Sequence, residues 1–327
     1  MQSDVEPQSS ELLKQLQFDP LHEWLPVLHN MNVSDLHLMP LPTKIQVQTR
    51  RQGQLSVIGY LDFEAGKRLI QKIKSACKMN IAETRTPQDG RLQFNTTEAR
   101  LATHPSLHGE SLSVRLLGLK GFDCIQALNL PKPICETIEA LLNQPEGLLL
   151  VSGPTGSGKT TLLHAGLNSL GARAGRVVTL EDPVEIRNDS ALQTDLSLLP
   201  HLSHADALRS LMRQDPDTLL IGEIRDRETA ELCLNASLTG HRVLATVHAP
   251  DCMGTLYRMQ ELGIALNSLL NCLNGVINLR LKLNPQAGLR TLYATILNCM
   301  PIPKSELLAI GSLPELEALC NSLGSKG

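Results

Sequence analysis

Eight residues, Gly153-Pro154-Thr155-Gly156-Ser157-Gly158-Lys159-Thr160, fix the local path of this chain more tightly than any other stretch. They follow the spacing G-x-x-x-x-G-K-[ST], and their flanks give that spacing a physical meaning. The apolar run Leu148-Leu149-Leu150-Val151 before them reads as a buried strand, and Thr161-Leu162-Leu163-His164-Ala165-Gly166-Leu167 after them as the opening of a helix. A glycine-rich turn between strand and helix offers backbone N–H groups and the positive helix end to phosphate oxygens. The expected phosphate cradle is Gly153, Pro154, Thr155, Gly156, Ser157, Gly158, Lys159, Thr160 and Thr161. Lys159 reaches the β- and γ-phosphates in such a cradle, and the Thr160 hydroxyl completes a Mg²⁺ shell. The bland alternative is a glycine loop with a structural role only.

Upstream the pattern is that of a small α+β domain. Asp35-Leu36-His37-Leu38 and Lys44-Ile45-Gln46-Val47-Gln48-Thr49-Arg50 alternate as half-buried strands do, and Arg51-Gln52-Gly53-Gln54 reads as a hairpin turn into Leu55-Ser56-Val57-Ile58. A helical face follows over 62–79, and further strands are expected at 91–95, 99–103 and 111–117. The expected division is a short N-terminal segment over 1–30, polar in its first ten residues, the α+β domain over 31–120, a proline-marked linker over 121–133 and a second domain over 134–327. In that second domain strands at 148–152, 176–180, 218–222 and 242–247 alternate with helices such as 204–214 and 227–238. This is the sign of a mainly parallel α/β sheet covered on both faces, with ligands beyond the carboxyl ends of its strands.

Composition narrows the partners. A formal net charge of −3 and an aromatic content of 2 % offer neither general attraction to a polyanion nor stacking platforms, so no direct nucleic-acid binding is expected. The first residues lack a signal-peptide pattern, and no window approaches 18 uninterrupted apolar residues. The eight cysteines are scattered without a C-x-x-C pair, which reads as reduced, mostly buried thiols in a cytoplasmic protein.

Acidic, basic and histidine residues gather around the expected strand ends. Leu180-Glu181-Asp182-Pro183-Val184-Glu185 carries three carboxylates that repel one another unless a metal, an arginine or water separates them. It is either a site or a solvated acidic turn. Glu223 follows the apolar run Thr218-Leu219-Leu220-Ile221, where a strand delivers a carboxylate to a metal and an attacking water; its bland reading is a surface acid at a strand end. His241 and His248 bracket another strand, either as structural histidines or as a link between a γ-phosphate and a neighbouring subunit. Arg209 and Arg213 lie four apart on one helix face, and Arg100 and Arg115 lie in the first domain's later strands. Each is a surface arginine by default, yet a guanidinium placed on a transferring phosphoryl group contributes roughly 10³–10⁵ in rate.

Together these stretches resemble the secretion ATPase family that powers type II secretion, type IV pilus assembly and DNA-uptake pseudopili. GPTGSGKTTLL (153–163) is similar to its Walker A, LEDPVE (180–185) to its Asp box, ALRSLMRQDPDTLLIGEIRD (207–226) to its arginine helix and Walker B, and TGHRVLATVHAPD (239–251) to its His box. SDLHLMP (34–40), IAETRTPQDGR (81–91) and SLHGESLSVRLL (106–117) resemble signatures of the domain before the motor. The resemblance implies a PAS-like α+β domain preceding a RecA-like P-loop NTPase domain, with nucleotide between them, in a homo-hexameric ring that uses ATP and Mg²⁺. It implies Glu223 as the acid that activates water and, with Thr160, attends the metal; Glu181 and Glu185 as the acidic pair; Arg100, Arg115, Arg209 and Arg213 as phosphate-approaching arginines; and His241 and His248 as the His-box histidines. It further implies a cytoplasmic motor held at the inner membrane by a platform protein, with IAETRTPQDGR and LTGH favouring assembly over retraction. The alternatives are a retraction motor of the same family and a nucleotide-binding regulatory subunit with little hydrolysis. Three departures stand out. Only about 30 residues precede the first signature, where larger members carry a docking domain. The family's four-cysteine module after the His box has no counterpart, so zinc is not expected. His248-Ala249-Pro250-Asp251 replaces a more usual polar pair after the second histidine.

Overall fold

The computed structural model describes residues 12–14, 16, 21–31, 33–51, 54–94, 97–117, 122–199, 201–283, 290–316 and 319. The expected polar stretch 1–10, the hairpin residues Gln52 and Gly53, and Cys320 lie outside them. The chain divides into two compact units, Met1–Leu119 and Lys120–Gly327.

The first unit holds α1 (Leu21–Asn30), β1 (Val33–Pro40), β2 (Lys44–Arg51), β3 (Gln54–Asp62), α2 (Phe63–Ala76), β4 (Gln88–Phe94), β5 (Thr97–Ser106) and β6 (Gly109–Leu117). Its six strands run in the order β3-β2-β1-β6-β5-β4, every neighbouring pair antiparallel. Alternation sorts the side chains: Leu36, Leu38, Ile45, Val47, Leu101, Leu112 and Val114 pack with Trp24, Leu28, Leu69 and Ile73 of the helices. Helix α2 starts where Asp62 accepts hydrogen bonds from the Glu64 and Ala65 amides, and it stops at Ala76, short of the expected residue 79. The alternate positions of the strands form a row across the sheet. Arg50 faces Asp35, Asp35 faces Arg115, Arg115 faces Arg100, and Arg100 faces Arg91.

The second unit opens with a 3₁₀ turn over Ile125–Leu128, whose Ile125 and Leu128 are buried in its core. Within the expected linker over 121–133, Ile125, Leu128 and Leu130 are buried against that core. There follow α3 (Lys132–Leu142), β7 (Gly147–Ser152), α4 (Lys159–Leu170), β8 (Val177–Glu181), β9 (Ala191–Asp195), α5 (His204–Met212), β10 (Thr218–Ile221), α6 (Arg227–Leu238), β11 (Arg242–Val247), α7 (Cys252–Glu261), α8 (Leu266–Cys272), β12 (Leu273–Leu283), β13 (Arg290–Asn298) and α9 (Lys304–Leu308). The sheet order is β13-β12-β7-β11-β10-β8-β9, parallel except for β13, which runs antiparallel to β12. The short inner strands are mainly apolar because they feed two cores at once. Leu148, Leu150, Val178, Leu219, Ile221, Val243 and Ala245 face one layer, and Leu149, Val151, Leu220 and Leu244 the other.

Register decides what meets at the carboxyl edge. Ser152 pairs with Val247, Ala245 with Ile221, and Ile221 with Leu180. Gly153 and His248 therefore leave β7 and β11 at one level, while Gly222 and Glu181 lie level with Thr246, two residues earlier. At the opposite edge Arg242 is buried, donating to the carbonyls of Gln144 and Arg173 and to the Thr218 hydroxyl.

Candidate nucleotide site

The glycine-rich turn needs its glycines at identifiable places. Gly153 has φ 142°, and a Cβ there would lie 2.4 Å from the Leu279 carbonyl oxygen and 2.6 Å from Ser157 Oγ. Gly158, at φ 95°, caps the N-terminus of α4 without any side-chain cap. Ser157 Oγ is buried with no hydrogen-bond partner among the described residues. Lys159 Nζ donates to the carbonyls of Gly153 and Pro154 at 2.9 and 3.0 Å. Burial pushes the Lys159 ammonium below the ordinary lysine range, and the charges of Glu223 and Glu185 pull it back up. An uncapped helix end, an orphan hydroxyl and a partly desolvated cation facing two carboxylates fit a phosphate chain with its metal ion. Thr160 and Glu223 are the residues suited to attend that metal.

Glu223 stands two residues past β10 on a backbone held from both sides. The Gly222 amide donates to Leu180 O at 2.7 Å, and the Thr246 hydroxyl donates to Gly222 O. Its carboxylate is held as well. Arg225 Nε donates to Glu223 Oε2 at 2.9 Å, while His248 Nε2 lies 3.5 Å from Oε1. The same guanidinium donates through Nη1 to Asp182 Oδ2 at 3.0 Å.

The three carboxylates at the end of β8 and just beyond it thus avoid mutual repulsion by entering three environments. Glu181 is buried, with Oε1 accepting from Thr179 Oγ1 and Gln193 Nε2 and Oε2 lying 3.3 Å from His164 Nε2 of α4. Asp182 is paired with Arg225. Glu185 is exposed and acts on Lys159 through its charge.

A family profile described as "Type II/IV secretion system protein" matches residues 21–296. The chain belongs to that family. Among relatives of this type II/IV secretion family, the type IV pilus assembly ATPase PilB of Acinetobacter baylyi is 37 % identical over 294 residues, covering 87 % of this chain and 49 % of PilB. The type II secretion system protein E of Pseudomonas aeruginosa is 35 % identical over 288 residues, covering 85 % of this chain and 57 % of that protein. The chain therefore spans about half the length of the curated relatives it matches. The solved structure of the Legionella pneumophila ATPase DotB superimposes with a TM-score of 0.75 at 22 % identity, covering 94 % of this chain and 88 % of DotB. That likeness is one of fold, and it agrees with a RecA-like P-loop ATPase architecture. No helix among the described residues is long and apolar enough to cross a membrane.

Of the residues with which this family resemblance began, the structure gathers the phosphate loop, Glu185, Glu223 and His248. His241 is not among them. It lies at the start of β11, its Nδ1 3.0 Å from Ala236 O, and the six residues of that strand set it roughly 20 Å from His248. The helix expected over 204–214 ends at Met212, so Arg213 is its C-cap residue rather than part of a helical face. Arg209 is on the helix and pairs with Asp206 and Glu228. Arg115 donates to the buried Asp35 at 2.8 Å, and Arg100 lies 3.8 Å from Asp89.

Sequence reasoning passes over His164, Gln193 and Arg225. His164 is 1 % exposed and its Nδ1 has no partner among the described residues. Its ring binds the first turns of α4 to the end of β8 through Glu181. His164→Ala is expected to cost about 1–3 kcal/mol, because a buried carboxylate loses one of its partners. A lower urea midpoint with an unchanged slope is the readout; an unchanged midpoint would mean that Thr179 and Gln193 suffice.

Proposed function

We propose that this chain hydrolyses ATP and converts the turnover into movement of an inner-membrane partner. The observation that carries the reading is Glu223, held between Arg225 and His248 while its charge acts on Lys159. In this reading Lys159 and the loop amides hold phosphates, and Glu223 orients or deprotonates water. Thr160 and Glu223 would hold a Mg²⁺, which would supply positive charge to offset that developing on the phosphate oxygens. The glutamate pair of the Asp box divides its work: Glu185 adds negative charge near Lys159, and Glu181 stabilises the strand end. Arg209, Arg213, Arg100 and Arg115 neutralise developing charge on the strength of the resemblance. His241, remote from Glu223, belongs in this reading to a contact with a neighbouring subunit.

The wider assembly follows from the family. The first unit is proposed to be PAS-like, and the chain to form a homo-hexamer at the cytoplasmic face of the inner membrane, docked on a platform protein. Its work is the assembly of a type IV pilus, a type II secretion pseudopilus or a DNA-uptake filament. Phosphate release from ATP by the purified chain, with and without Mg²⁺, tests the enzyme, and light scattering with and without nucleotide tests the ring. Nucleotide bound but never cleaved, with the membrane partner present, would instead identify a regulatory subunit. Deleting the gene separates assembly from retraction, because lost filaments indicate the first and accumulated filaments the second.

A further inference from the structure

We propose that Arg225 is a positioning residue for hydrolysis, anchored on Asp182 and setting the orientation of the Glu223 carboxylate. The inference rests on the reading that Glu223 is the acid that acts on water. One guanidinium spans two strand ends: Nε binds Glu223 Oε2 at 2.9 Å and Nη1 binds Asp182 Oδ2 at 3.0 Å. With both nitrogens engaged, the plane of the fork is fixed, and the Glu223 oxygen it holds is fixed with it. The remaining oxygen, Oε1, faces His248. Asp182, Arg225, Glu223 and His248 thereby form one row across the ends of β8, β10 and β11, beside the loop that carries Lys159.

Stability does not account for this row. The side chains of Arg225, Asp182 and Glu223 are 48, 31 and 23 % exposed, and ion pairs so open to solvent contribute little to folding. Their effect is on geometry. Glu223 lies two residues beyond the four-residue strand β10, and its carboxylate oxygens meet Arg225 and His248. A carboxylate that must meet a water in line with a phosphoryl group depends on the rotation of its side chain, and a misplacement of about 1 Å can cost on the order of 10²-fold in rate. Asp182 therefore contributes through Arg225, as the anchor of the fork.

The test is steady-state ATP hydrolysis by the full chain with Mg²⁺. Arg225→Ala is expected to lower kcat by about 10²-fold with KM for ATP little changed, because the orientation matters only for the chemical step. Arg225→Lys is expected to recover only part of the loss, since a point charge cannot hold both carboxylates in one plane. Millimolar guanidinium is expected to raise the rate of Arg225→Ala and leave that of the unaltered chain unchanged. Asp182→Asn is expected to lower kcat by about tenfold, and the double variant to be no slower than Arg225→Ala alone, because the two residues act along one path. An Arg225→Ala rate within about twofold of the unaltered chain, or losses that multiply in the double variant, would overturn the proposal. If Arg225→Ala fails to fold or to bind ADP, the near-isosteric Asp182→Asn decides, and an unaltered kcat there would overturn it too. Glu223→Gln run alongside keeps the two readings apart. Its full activity would remove the hydrolytic role of Glu223, whereas its inactivity beside an active Arg225→Ala would remove only the role of Arg225.

Discussion

Glu223→Gln is expected to lower the rate of ATP hydrolysis by about 10²–10⁴-fold, the range supplied by a positioned acid or base. The amide matches the carboxylate in shape and keeps an oxygen that can accept from Arg225 Nε, now at 2.9 Å. What it loses is the negative charge and the capacity to take a proton from water. Nucleotide affinity should change little, because the loop amides and Lys159 belong to α4 and the turn before it, not to β10. Loss of the acid also removes one of two carboxylate charges that act on Lys159, so affinity for the polyanion should rise rather than fall if it moves at all. Single-turnover cleavage, measured beside equilibrium binding of a fluorescent ADP analogue, separates the two effects. A variant that binds and cleaves at the normal rate would take Glu223 out of the chemistry. One that neither binds nor cleaves would mean that Glu223 holds the metal before any chemistry begins.

The parts of this site legible in the sequence are those that one continuous stretch determines. The strand–turn–helix around Gly153–Thr160 is written in adjacent residues, and so is Glu223 after its apolar run. The strands β7, β8, β10 and β11 could be read because each is buried on both faces and therefore mainly apolar. The others lack that mark. Strand β9 is the edge strand, its residues only partly covered, and its sequence Ala-Leu-Gln-Thr-Asp shows no period. Strand β12 carries Asn274, Gly275 and Asn278 among its apolar residues, because Asn274 donates to Glu146 O and Asn278 to Ser152 Oγ.

The pairings that give the site its chemistry depend on register between strands, which no single stretch contains. Asp182 meets Arg225 because β8 lies beside β10, 43 residues away in sequence. His164 meets Glu181 because the helix after β7 packs over the end of β8. One long-range feature was within reach. Strands β5 and β6 are joined through Leu107 and His108, and counting outward from the pair Ser106 and Gly109 brings Arg100 opposite Arg115. The separation of His241 from His248 was also readable, since two residues at opposite ends of one extended strand cannot attend one phosphate.

Lys74→Met is expected to destabilise the first unit by about 3–5 kcal/mol, the cost of leaving one member of a buried ion pair uncompensated. Lys74 is 0 % exposed in α2, and its Nζ donates to Glu110 Oε1 of β6 at 2.7 Å and to the Glu83 carbonyl at 2.6 Å. Glu110 is itself 7 % exposed. The ammonium thus joins its own helix to the sheet and to the connection between α2 and β4, and methionine keeps the length of the side chain while removing both contacts. Unfolding can be followed in this unit alone, because the single tryptophan of the chain, Trp24, is buried in its core. The double variant Lys74→Met with Glu110→Leu separates charge from packing. If the loss comes from the stranded carboxylate, the second substitution should restore most of the stability, as replacing both members of a buried pair often does. The Glu83 carbonyl would still lack its lysine donor, although Gln88 Nε2 also donates to it at 2.9 Å. A double variant as unstable as the single one would therefore assign the lysine's contribution to holding that connection against the sheet. A Lys74→Met loss below about 1 kcal/mol would show that water reaches Glu110 when the lysine is gone, and that the pair contributes no more than an exposed one.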